Sequence, residues 1–365
     1  MAEIIFVFNG GDFTIIPYEL SDYVLAKYFR SAGQRQGWLN ENEIIASVSG
    51  GGDSIALLWM CRKFFAGKIT ALHVNHGIRG EEADNDESFT ANFAENIGVD
   101  FVSVKIDVPN QQEKGESLES AARRLRHQII ITTAKKLNVR NILLGHNRDD
   151  LAETVLFNIL RGTGIRGSVG ITETTEIDGI KFFRPLLGLR RDFLRDILRV
   201  RGLTWREDSS NNDDKYTRNF IRLKLLPLIE ANINTSAIEH LASFGEDMRH
   251  AREYEDVRSR QLLSECRENI EDFSSKIKSD NKDMLQASHE NNYVLNRKKL
   301  RAHNEDDIIL IIREIGREFS LKTLSRKRTQ ELARLIRQPE NFIFQWCRDF
   351  NITSKMGKIF FEDKR

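Results

Sequence analysis

Short apolar runs alternate with longer segments of helical periodicity between residues 43 and 145. The runs EIIASVS, KITALHVN, VDFVSVKIDV and NILLGH contain mostly branched apolar residues, which favour strands. This alternation is typical of βαβ units, in which helices cover both faces of a parallel sheet. We therefore predict a Rossmann-like α/β domain, with ligands binding beyond the carboxyl ends of its strands.

The pattern changes on either side of this region. The first 40 residues contain a hairpin-like segment with Asn9-Gly10 as its turn, followed by a helix. Beyond residue 228 the sequence is helical and charged, and it ends in two amphipathic helices and two short strands. We predict an α/β domain over residues 1–228, a helical linker domain over residues 229–292 and a small α+β C-terminal domain over residues 293–365.

The composition is that of a globular protein. Hydrophobic residues make up 40% of the 365 residues and charged residues 30%, and no apolar stretch is long enough to cross a bilayer. The start, MAEIIFVFNGGDF, lacks the basic region of a signal peptide, so we expect no export. Cys61, Cys266 and Cys347 are far apart, which is typical of reduced thiols and forms no CxxC motif. We expect a cytoplasmic protein without a membrane partner.

The net charge of +1 conceals a segregation of charge along the chain. Residues 181–225 and 294–338 each contain 12 Lys or Arg against 6 Asp or Glu, whereas residues 239–290 contain 8 against 13. Two basic stretches can follow a phosphate backbone if the fold brings them together. Solvation of the outer faces of charged helices explains the same pattern. Charge alone therefore leaves a nucleic-acid partner open.

The stretch SVSGGGDS places three glycines directly after an apolar run and before a helical segment. The glycines let the chain curl tightly, and amide groups at the following helix N-terminus favour an anion such as phosphate. Asp53 can hold Mg²⁺ on that phosphate. The residues that we expect at a nucleotide are Ser49, Gly50, Gly51, Gly52, Asp53 and Ser54. A tight turn explains the glycines equally well, and neither the Walker A nor the GxGxxG pattern fits.

The same six residues resemble the pyrophosphate loop of the N-type ATP pyrophosphatases, the PP-loop superfamily. Five further stretches occur in the order and approximate spacing of the tRNA(Ile)-lysidine synthases. They read HVNHGIRG, ESAARRLR, GHNRDDLAETVLFNILRGTG, RPLLGLRR and REDSSNNDDKYTRNFIRLKLLP. The resemblance covers residues 40–228 strongly, and the last 70 residues resemble the family's tRNA-recognising module more faintly.

This resemblance implies an ATP-dependent ligase that modifies tRNA in two steps. ATP adenylylates the C2 oxygen of the wobble cytidine in a tRNA(Ile) with a CAU anticodon, and pyrophosphate leaves. The ε-amine of free L-lysine then displaces AMP and forms lysidine. ATP and Mg²⁺ are the implied co-substrate and cofactor. The sequence leaves the oligomeric state open, with a homodimer as one alternative.

The resemblance also assigns acidic residues to the site. Asp150 and Glu153 match the positions that face lysine in the family, together with the loop acid Asp53. His146 and Asp149 lie near one helix face with Asp150 and Glu153, because the three acids follow His146 by three, four and seven positions. Three carboxylates on one face repel one another unless a cation lies among them, and Mg²⁺ and a lysine ammonium both qualify. We expect Asp53 and Asp149 as metal ligands and a carboxylate or His146 as acceptor of the lysine proton. An acidic first turn stabilised by the helix dipole is the alternative.

Arginines are the predicted contacts for phosphates and RNA. Arg123 and Arg126 lie one turn apart on a predicted helix and would clamp the ATP phosphates or the tRNA backbone, and we place Arg123 among the catalytic residues. Surface charge is the alternative for both. The further tRNA contacts that we predict are Arg190, Arg191, Arg218, Arg222, Arg297 and Arg301.

Two other functions remain open at this stage. A tRNA 2-thiolating enzyme of the same superfamily would use the same loop, but such enzymes rely on cysteines near the site. Cys61 lies within a predicted helix and the other two cysteines are remote in sequence. A catalytically inactive tRNA-binding protein predicts damage at the acidic positions, yet Asp53, Asp150 and Glu153 are all present.

Overall fold

Two compact units make up the chain. The computed structural model describes residues 4–9, 12–77, 80–207, 217–269 and 293–363. The units are Met1–Arg249, called unit 1 below, and His250–Arg365, called unit 2. The predicted linker over residues 229–292 lies partly outside the described residues, so the division into three domains stays a prediction.

A six-stranded sheet forms the centre of unit 1. Its strands follow one another in the order β5-β4-β3-β6-β8-β7. All neighbours in this order are parallel except β7, which pairs antiparallel with β8. The strands of unit 1 are β1 (Ile4–Asn9), β2 (Asp12–Pro17), β3 (Glu43–Ser47), β4 (Lys68–Asn75), β5 (Asp100–Lys105), β6 (Asn141–Leu144), β7 (Thr174–Ile177) and β8 (Ile180–Phe183). The predicted α/β class with a parallel sheet is confirmed.

The amino-terminal hairpin is confirmed as a separate antiparallel pair of β1 and β2. Asn9 pairs with Asp12 across this ladder, which places Asn9 in the strand and not in the turn predicted at Asn9-Gly10. Residues 10 and 11 lie outside the described part of the chain.

Helices follow most strands of the sheet. Those of unit 1 are α1 (Asp22–Gln36), α2 (Gly52–Phe64), α3 (Glu81–Asn96), α4 (Leu118–Leu137), α5 (Arg148–Leu160), α6 (Ile165–Ser168), α7 (Arg191–Val200), α8 (Thr217–Phe220) and α9 (Leu226–Asn232). A further helix, α10 (Ala237–Cys266), is 30 residues long and contains the boundary between the two units.

The alternation of side chains along β3 explains why helices cover both faces of the sheet. Ile44 and Ala46 belong to one apolar core with residues of α1, α2 and α7, whereas Ile45 belongs to another core with residues of α4. All three are fully buried. Successive residues of a strand point to opposite faces, so a strand buried on both sides is apolar at consecutive positions.

A π-helical segment, Ile221–Leu225, lies between α8 and α9. The amide of Leu226 donates to the carbonyl of Ile221, five residues earlier. Pro227 follows directly, and its backbone nitrogen has no hydrogen to donate to a carbonyl of the preceding turn. Single π-helical turns within helices are frequent at functional sites. Arg222 lies on this segment.

Unit 2 contains an antiparallel five-stranded sheet with the order β11-β12-β13-β10-β9. Its elements are β9 (Arg267–Asn269), β10 (Tyr293–Asn296), α11 (Arg297–Ala302), α12 (Glu305–Glu318), α13 (Arg326–Arg337), β11 (Ile343–Cys347), β12 (Phe350–Lys355) and β13 (Lys358–Asp363). The two predicted amphipathic helices and the two predicted terminal strands are confirmed as α12, α13, β11 and β13. Three further strands, β9, β10 and β12, are not apparent from the sequence pattern. Within the described residues, no helix combines the length and the apolar character needed to cross a membrane.

Candidate active site

The glycine loop between β3 and α2 is folded back on itself by its own hydrogen bonds. Gly50 has a φ of +90°, a left-handed conformation that favours glycine. Its carbonyl accepts from the amide of Arg206 over 3.0 Å. The hydroxyl of Ser54 accepts from the amide of Ser49 (3.1 Å) and donates to the carbonyl of Gly51 (2.9 Å). The hydroxyl of Ser54 therefore shapes the loop, and the α2 N-terminus behind it presents backbone amides to an anion.

Close packing fixes the position of this loop in unit 1. A Cβ atom on Gly145, in the turn between β6 and α5, would lie 3.1 Å from the carbonyl oxygen of Asp53 and 3.2 Å from Cα of Ser54. A Cβ atom on Gly52 would lie 3.4 Å from the ring of Trp205. Gly145 therefore allows two backbone segments to approach each other, which brings the start of α2 beside the start of α5.

An acidic cluster surrounds the guanidinium of Arg191. Its Nη2 atom lies 2.8 Å from Oδ1 of Asp150 and 3.0 Å from Oε1 of Glu153. Its Nε atom lies 3.7 Å from Oδ2 of Asp53. The side chain of Arg191 is only 10% exposed. The structure thus brings together the three carboxylates that the sequence predicts at the lysine, and it places Arg191 among them rather than on an exposed, RNA-facing surface.

Asp149 faces a different partner from its neighbours. Its Oδ2 atom accepts from the backbone amide of Arg191 (2.8 Å) and from Nε of Arg190 (3.2 Å). A carboxylate at this position satisfies an amide at the N-terminus of α7. The expectation that Asp149 binds a metal is not supported by this placement. Within the described residues, no group of three or more His, Cys, Asp or Glu side chains converges on a metal position.

Further ion pairs hold α5 against α10 within unit 1. Arg148, at the first position of α5, lies 2.9 Å from Oε2 of Glu239 and 2.5 Å from Oε1 of Glu246. Arg190 pairs with Glu230 over 3.5 Å in addition to Asp149. Arg190 is therefore half-buried in an ion-pair network, and its predicted contact with tRNA stays a prediction.

Burial and neighbouring charges shift the pKa values of the acidic cluster. Burial raises the pKa of Asp53 to about 6, although the Arg191 guanidinium opposes the shift. Burial also raises the pKa of Glu153 against the same guanidinium. Burial alone would lower the pKa of Arg191. The negative charges of Asp150, Glu153 and Asp53 together have the larger effect, so the pKa of Arg191 is raised. Arg191 stays charged, and Asp53 titrates near neutrality.

A second cluster is cationic and consists of Arg123, Arg126, Arg184 and Arg218, whose charges act on one another. Arg184 is 8% exposed, and its Nη1 atom donates to the carbonyl of Thr172 (2.9 Å) and to the hydroxyl of Thr175 (3.0 Å). Arg218 donates from Nη2 to the hydroxyl of Thr154 over 2.6 Å.

His146 belongs to the same neighbourhood as this cationic cluster. Burial lowers the pKa of His146 to about 3, with Asp150 opposing the shift and Arg184, Arg126 and Arg123 reinforcing it. The imidazole is therefore neutral at physiological pH. Its Nδ1 atom is buried without a hydrogen-bond partner in the described structure.

Two arginines predicted to bind tRNA lie in unit 2, where they donate hydrogen bonds to other residues of that unit. Arg297 is 3% exposed, and it donates from Nε to the carbonyl of Ile336 (3.1 Å) and from Nη1 to the hydroxyl of Ser354 (2.7 Å). Arg301 donates from Nε to the same carbonyl over 3.0 Å. These bonds satisfy carbonyls at the C-terminus of α13. This placement contradicts a surface contact for Arg297, because its guanidinium faces the interior of unit 2.

Sequence comparison identifies the family of the first unit. Residues 23–229 match the family model described as the PP-loop domain. The chain belongs to the PP-loop family. This match contains the glycine loop, the acidic cluster and the cationic cluster described above. A U34-tRNA thiolase from Methanococcus maripaludis, solved with its [4Fe-4S] cluster, has a similar fold. The TM-score is 0.52 at 17% identity, over 62% of this chain and 78% of that chain.

Two curated relatives of this PP-loop chain are named tRNA(Ile)-lysidine synthase. A tRNA(Ile)-lysidine synthase from Clostridium tetani is 38% identical over 222 residues, which is 60% of this chain and 47% of the relative. One from Parabacteroides distasonis is 40% identical over 209 residues, or 57% of this chain and 46% of the relative. The chain thus spans about half the length of the curated relatives that it matches.

Proposed function

We propose that this protein is an ATP-dependent ligase that forms lysidine at the wobble cytidine of tRNA(Ile). One observation carries the proposal: the loop acid Asp53 converges with Asp150 and Glu153 on one buried cationic centre. A nucleotide loop next to a site for an ammonium group is what the transfer of lysine onto an activated base requires. Similarity to relatives named tRNA(Ile)-lysidine synthase supports the same activity.

In the first step, the glycine loop would hold the pyrophosphate of ATP. The backbone amides at the start of α2 would donate to this anion, and Gly50, Gly51 and Gly52 carry no side chain that could obstruct it. The C2 oxygen of the cytidine attacks the α-phosphorus, the bond to the β-phosphate oxygen breaks, and pyrophosphate leaves. Mg²⁺ fits this site through Asp53 and phosphate oxygens, because Mg²⁺ is usually bound by one or two carboxylates plus substrate phosphates. It would neutralise charge on the leaving pyrophosphate.

In the second step, the ε-amine of lysine attacks C2 of the activated base and AMP leaves with the C2 oxygen. The amine must lose a proton, since its ordinary pKa is about 10.4. Asp53, with a pKa of about 6 in the metal-free site, is a suitable acceptor once pyrophosphate has left, and the carboxylates of Asp150 and Glu153 would hold the ammonium beforehand. His146 is neutral and adjoins Asp150, so it would orient the amine or relay its proton.

Sulfur transfer is the second candidate, favoured by the structural likeness to a tRNA thiolase. The thiols of this chain do not support it. Cys61 is fully buried in α2, and burial raises the pKa of its thiol well above the ordinary value. Cys266 and Cys347 belong to unit 2. All three cysteines are free thiols, and none belongs to a group of three or more metal-ligating side chains in the described chain.

The test is incubation with ATP, labelled L-lysine and bulk bacterial tRNA, followed by nucleoside analysis. We expect lysidine, and we expect Asp53→Asn and Glu153→Gln each to abolish it. Asp178→Asn is a matched control, because Asp178 is an exposed acid in the turn between β7 and β8. Absence of labelled lysidine, together with a thiolated nucleoside when a sulfide salt replaces lysine, would overturn the proposal. ATP/pyrophosphate exchange that does not depend on tRNA would overturn it as well.

A further inference from the structure

Two residues that follow α7 hold the glycine loop from outside. The backbone of Arg206 forms an isolated parallel bridge with Gly51, and its amide donates to the carbonyl of Gly50 over 3.0 Å. Trp205 packs against the apolar core that contains residues of α2, and its ring lies beside Gly52. This pair of residues, called the brace below, therefore adjoins each of the three glycines.

An ion pair fixes the brace to α3. The Nε atom of Arg206 donates to Oδ1 of Asp86 over 2.9 Å. The side chain of Asp86 is only 11% exposed, whereas that of Arg206 is 42% exposed. A carboxylate that is largely removed from water needs a cation close to it, so the pair favours one position of the brace. The two residues are 120 positions apart in the sequence, and no local pattern indicates their contact.

Helix α3 also approaches the loop directly. A Cβ atom on Gly50 would lie 3.2 Å from Oγ1 of Thr90 and 3.7 Å from the carbonyl oxygen of Asp86. The same Cβ atom would lie 3.7 Å from Cγ of Arg206. Thr90 is fully buried, and its hydroxyl donates to the carbonyl of Asp86 over 2.7 Å. Both members of the ion pair therefore surround the glycine whose backbone is left-handed.

A loop of three glycines is costly to order. Glycine loses more conformational freedom than any other residue when its backbone becomes fixed. If the loop became ordered only on contact with ATP, the binding of ATP would bear this cost. Contacts that order the loop beforehand raise the affinity for the ligand instead. The brace and α3 supply such contacts without placing a side chain on the glycines themselves.

We propose that Asp86 and Arg206 are positioning residues for pyrophosphate binding, because their ion pair holds the brace on the glycine loop. The loop amides are thereby kept in the arrangement that binds the pyrophosphate of ATP. The inference rests on the proposed function, in which this loop binds ATP. It gives a role to two residues outside the loop and outside the acidic and cationic clusters.

The opposite charges of the pair distinguish positioning from a direct electrostatic effect. Asp86 is negative and repels an anion in the loop, so its charge alone would weaken pyrophosphate binding. By electrostatics alone, Asp86→Asn would strengthen binding and Arg206→Gln would weaken it. Positioning requires both substitutions to weaken binding, because each one releases the brace.

The experiment is calorimetric titration of the whole chain with inorganic pyrophosphate and with ATP, each in the presence of Mg²⁺. We expect the Kd of both ligands to rise about tenfold in Asp86→Asn and in Arg206→Gln. The double variant should bind as weakly as either single variant, because all three lose the same contact. Arg206→Lys keeps a cation for Asp86 and should recover most of the affinity. In lysidine formation, the KM for ATP should rise while the KM for lysine stays within about twofold of the parent value.

Lys105→Gln is the matched control, since the Nζ atom of Lys105 pairs with Asp84 on the same helix over 2.9 Å and does not involve the brace. It should leave both Kd values unchanged. Unchanged or tighter pyrophosphate binding in Asp86→Asn would overturn the inference. Weaker binding in Arg206→Gln alone would also overturn it, by showing that the guanidinium contacts the anion directly. A lower melting temperature with unchanged Kd values would assign the ion pair to stability only.

The titration needs neither tRNA nor lysine, so its outcome is independent of lysidine formation. Weaker pyrophosphate binding in both variants of a protein that forms no lysidine would support the positioning role and overturn the proposed function. Unchanged binding in both variants of a protein that forms lysidine would overturn the positioning role alone.

Discussion

The Nη2 atom of Arg191 donates to Oδ1 of Asp150 over 2.8 Å inside unit 1. The two side chains are 10% and 22% exposed, so water screens this pair only weakly. The adjacent carboxylates require a cation among them, and Arg191 of the same chain supplies it. An incoming lysine ammonium would therefore join or displace a guanidinium that is already in place.

Replacing Arg191 should destabilise unit 1 and change the titration of the site. Arg191→Gln leaves Asp150 and Glu153 without their cation, and breaking a buried pair in this way costs about 3–5 kcal/mol. It should also raise the pKa of Asp53, because Arg191 opposes the effect of burial there. Urea denaturation measures the first effect, and the pH dependence of lysidine formation measures the second. Arg191→Lys should show smaller changes of both kinds. An unchanged denaturation midpoint in Arg191→Gln would contradict this role.

Asp53 should make the protein less stable at neutral pH than a neutral residue would. Its pKa is raised from 3.8 to about 6, so folding favours the protonated carboxyl. That contribution to stability is fully present below pH 3.8 and is lost as the pH rises through 6. The difference amounts to about 3 kcal/mol above that range. We expect Asp53→Asn to be more stable than the parent at pH 8 and equal to it at pH 4, by urea denaturation at both values. A difference in stability between the two proteins that is the same at both pH values would show that ionisation of the Asp53 carboxyl is not its cause.

Gly145 should be needed for the approach of two backbone segments. In Gly145→Ala the new methyl group would lie 3.1 Å from the carbonyl oxygen of Asp53, and neither backbone can move without shifting the loop. We expect the free energy of unfolding to fall by about 1–3 kcal/mol and ATP binding to weaken. Gly164→Ala is the control, because no described atom lies within 4 Å of its added Cβ. Calorimetry of ATP binding decides the question, and equal affinities for the two variants would disprove the steric argument.

Arg297 and the exposed cations of α13 should behave in opposite ways. Arg297→Ala removes several hydrogen bonds of a charged group and should lower the stability of unit 2 by about 3 kcal/mol. Lys327 and Arg334 are exposed on α13. If α13 contacts the tRNA backbone, replacing both by Ala should reduce the salt dependence of binding by about two phosphate contacts and leave stability unchanged. Filter binding at several salt concentrations, together with thermal denaturation, tests both expectations. Weaker tRNA binding with unchanged stability in Arg297→Ala, and no change of salt dependence in the double variant of α13, would show that Arg297 contacts the RNA.

Local sequence predicts the parts of the site that depend on local structure. The β3–loop–α2 unit and the acids on α5 follow from an apolar run, a set of glycines and a helical spacing. Arg191 could not be placed in the same way, because its partner Glu153 is 38 positions away in the sequence. Its position depends on how the turn after β8 packs against α5. A charge count likewise does not distinguish Arg297, which is buried, from Lys327, which is exposed.

The strands that the sequence did not indicate have a similar explanation. β12 reads FNITSK, and its polar residues look like a loop until β11 and β13 pair on either side of it. β9 and β10 are short, and pairing with each other gives them their strand character. Strand formation in such segments depends on partners that are distant in the sequence.

The two oxygens of Asp150 have different partners. Oδ2 accepts from the backbone amide of Asn147 at the start of α5, and Oδ1 accepts from Arg191. One carboxylate thus secures a helix end and also belongs to the site that we assign to lysine. A substitution of Asp150 therefore changes both contacts together. We expect homologous proteins to retain an aspartate at this position even where they act on a different amine.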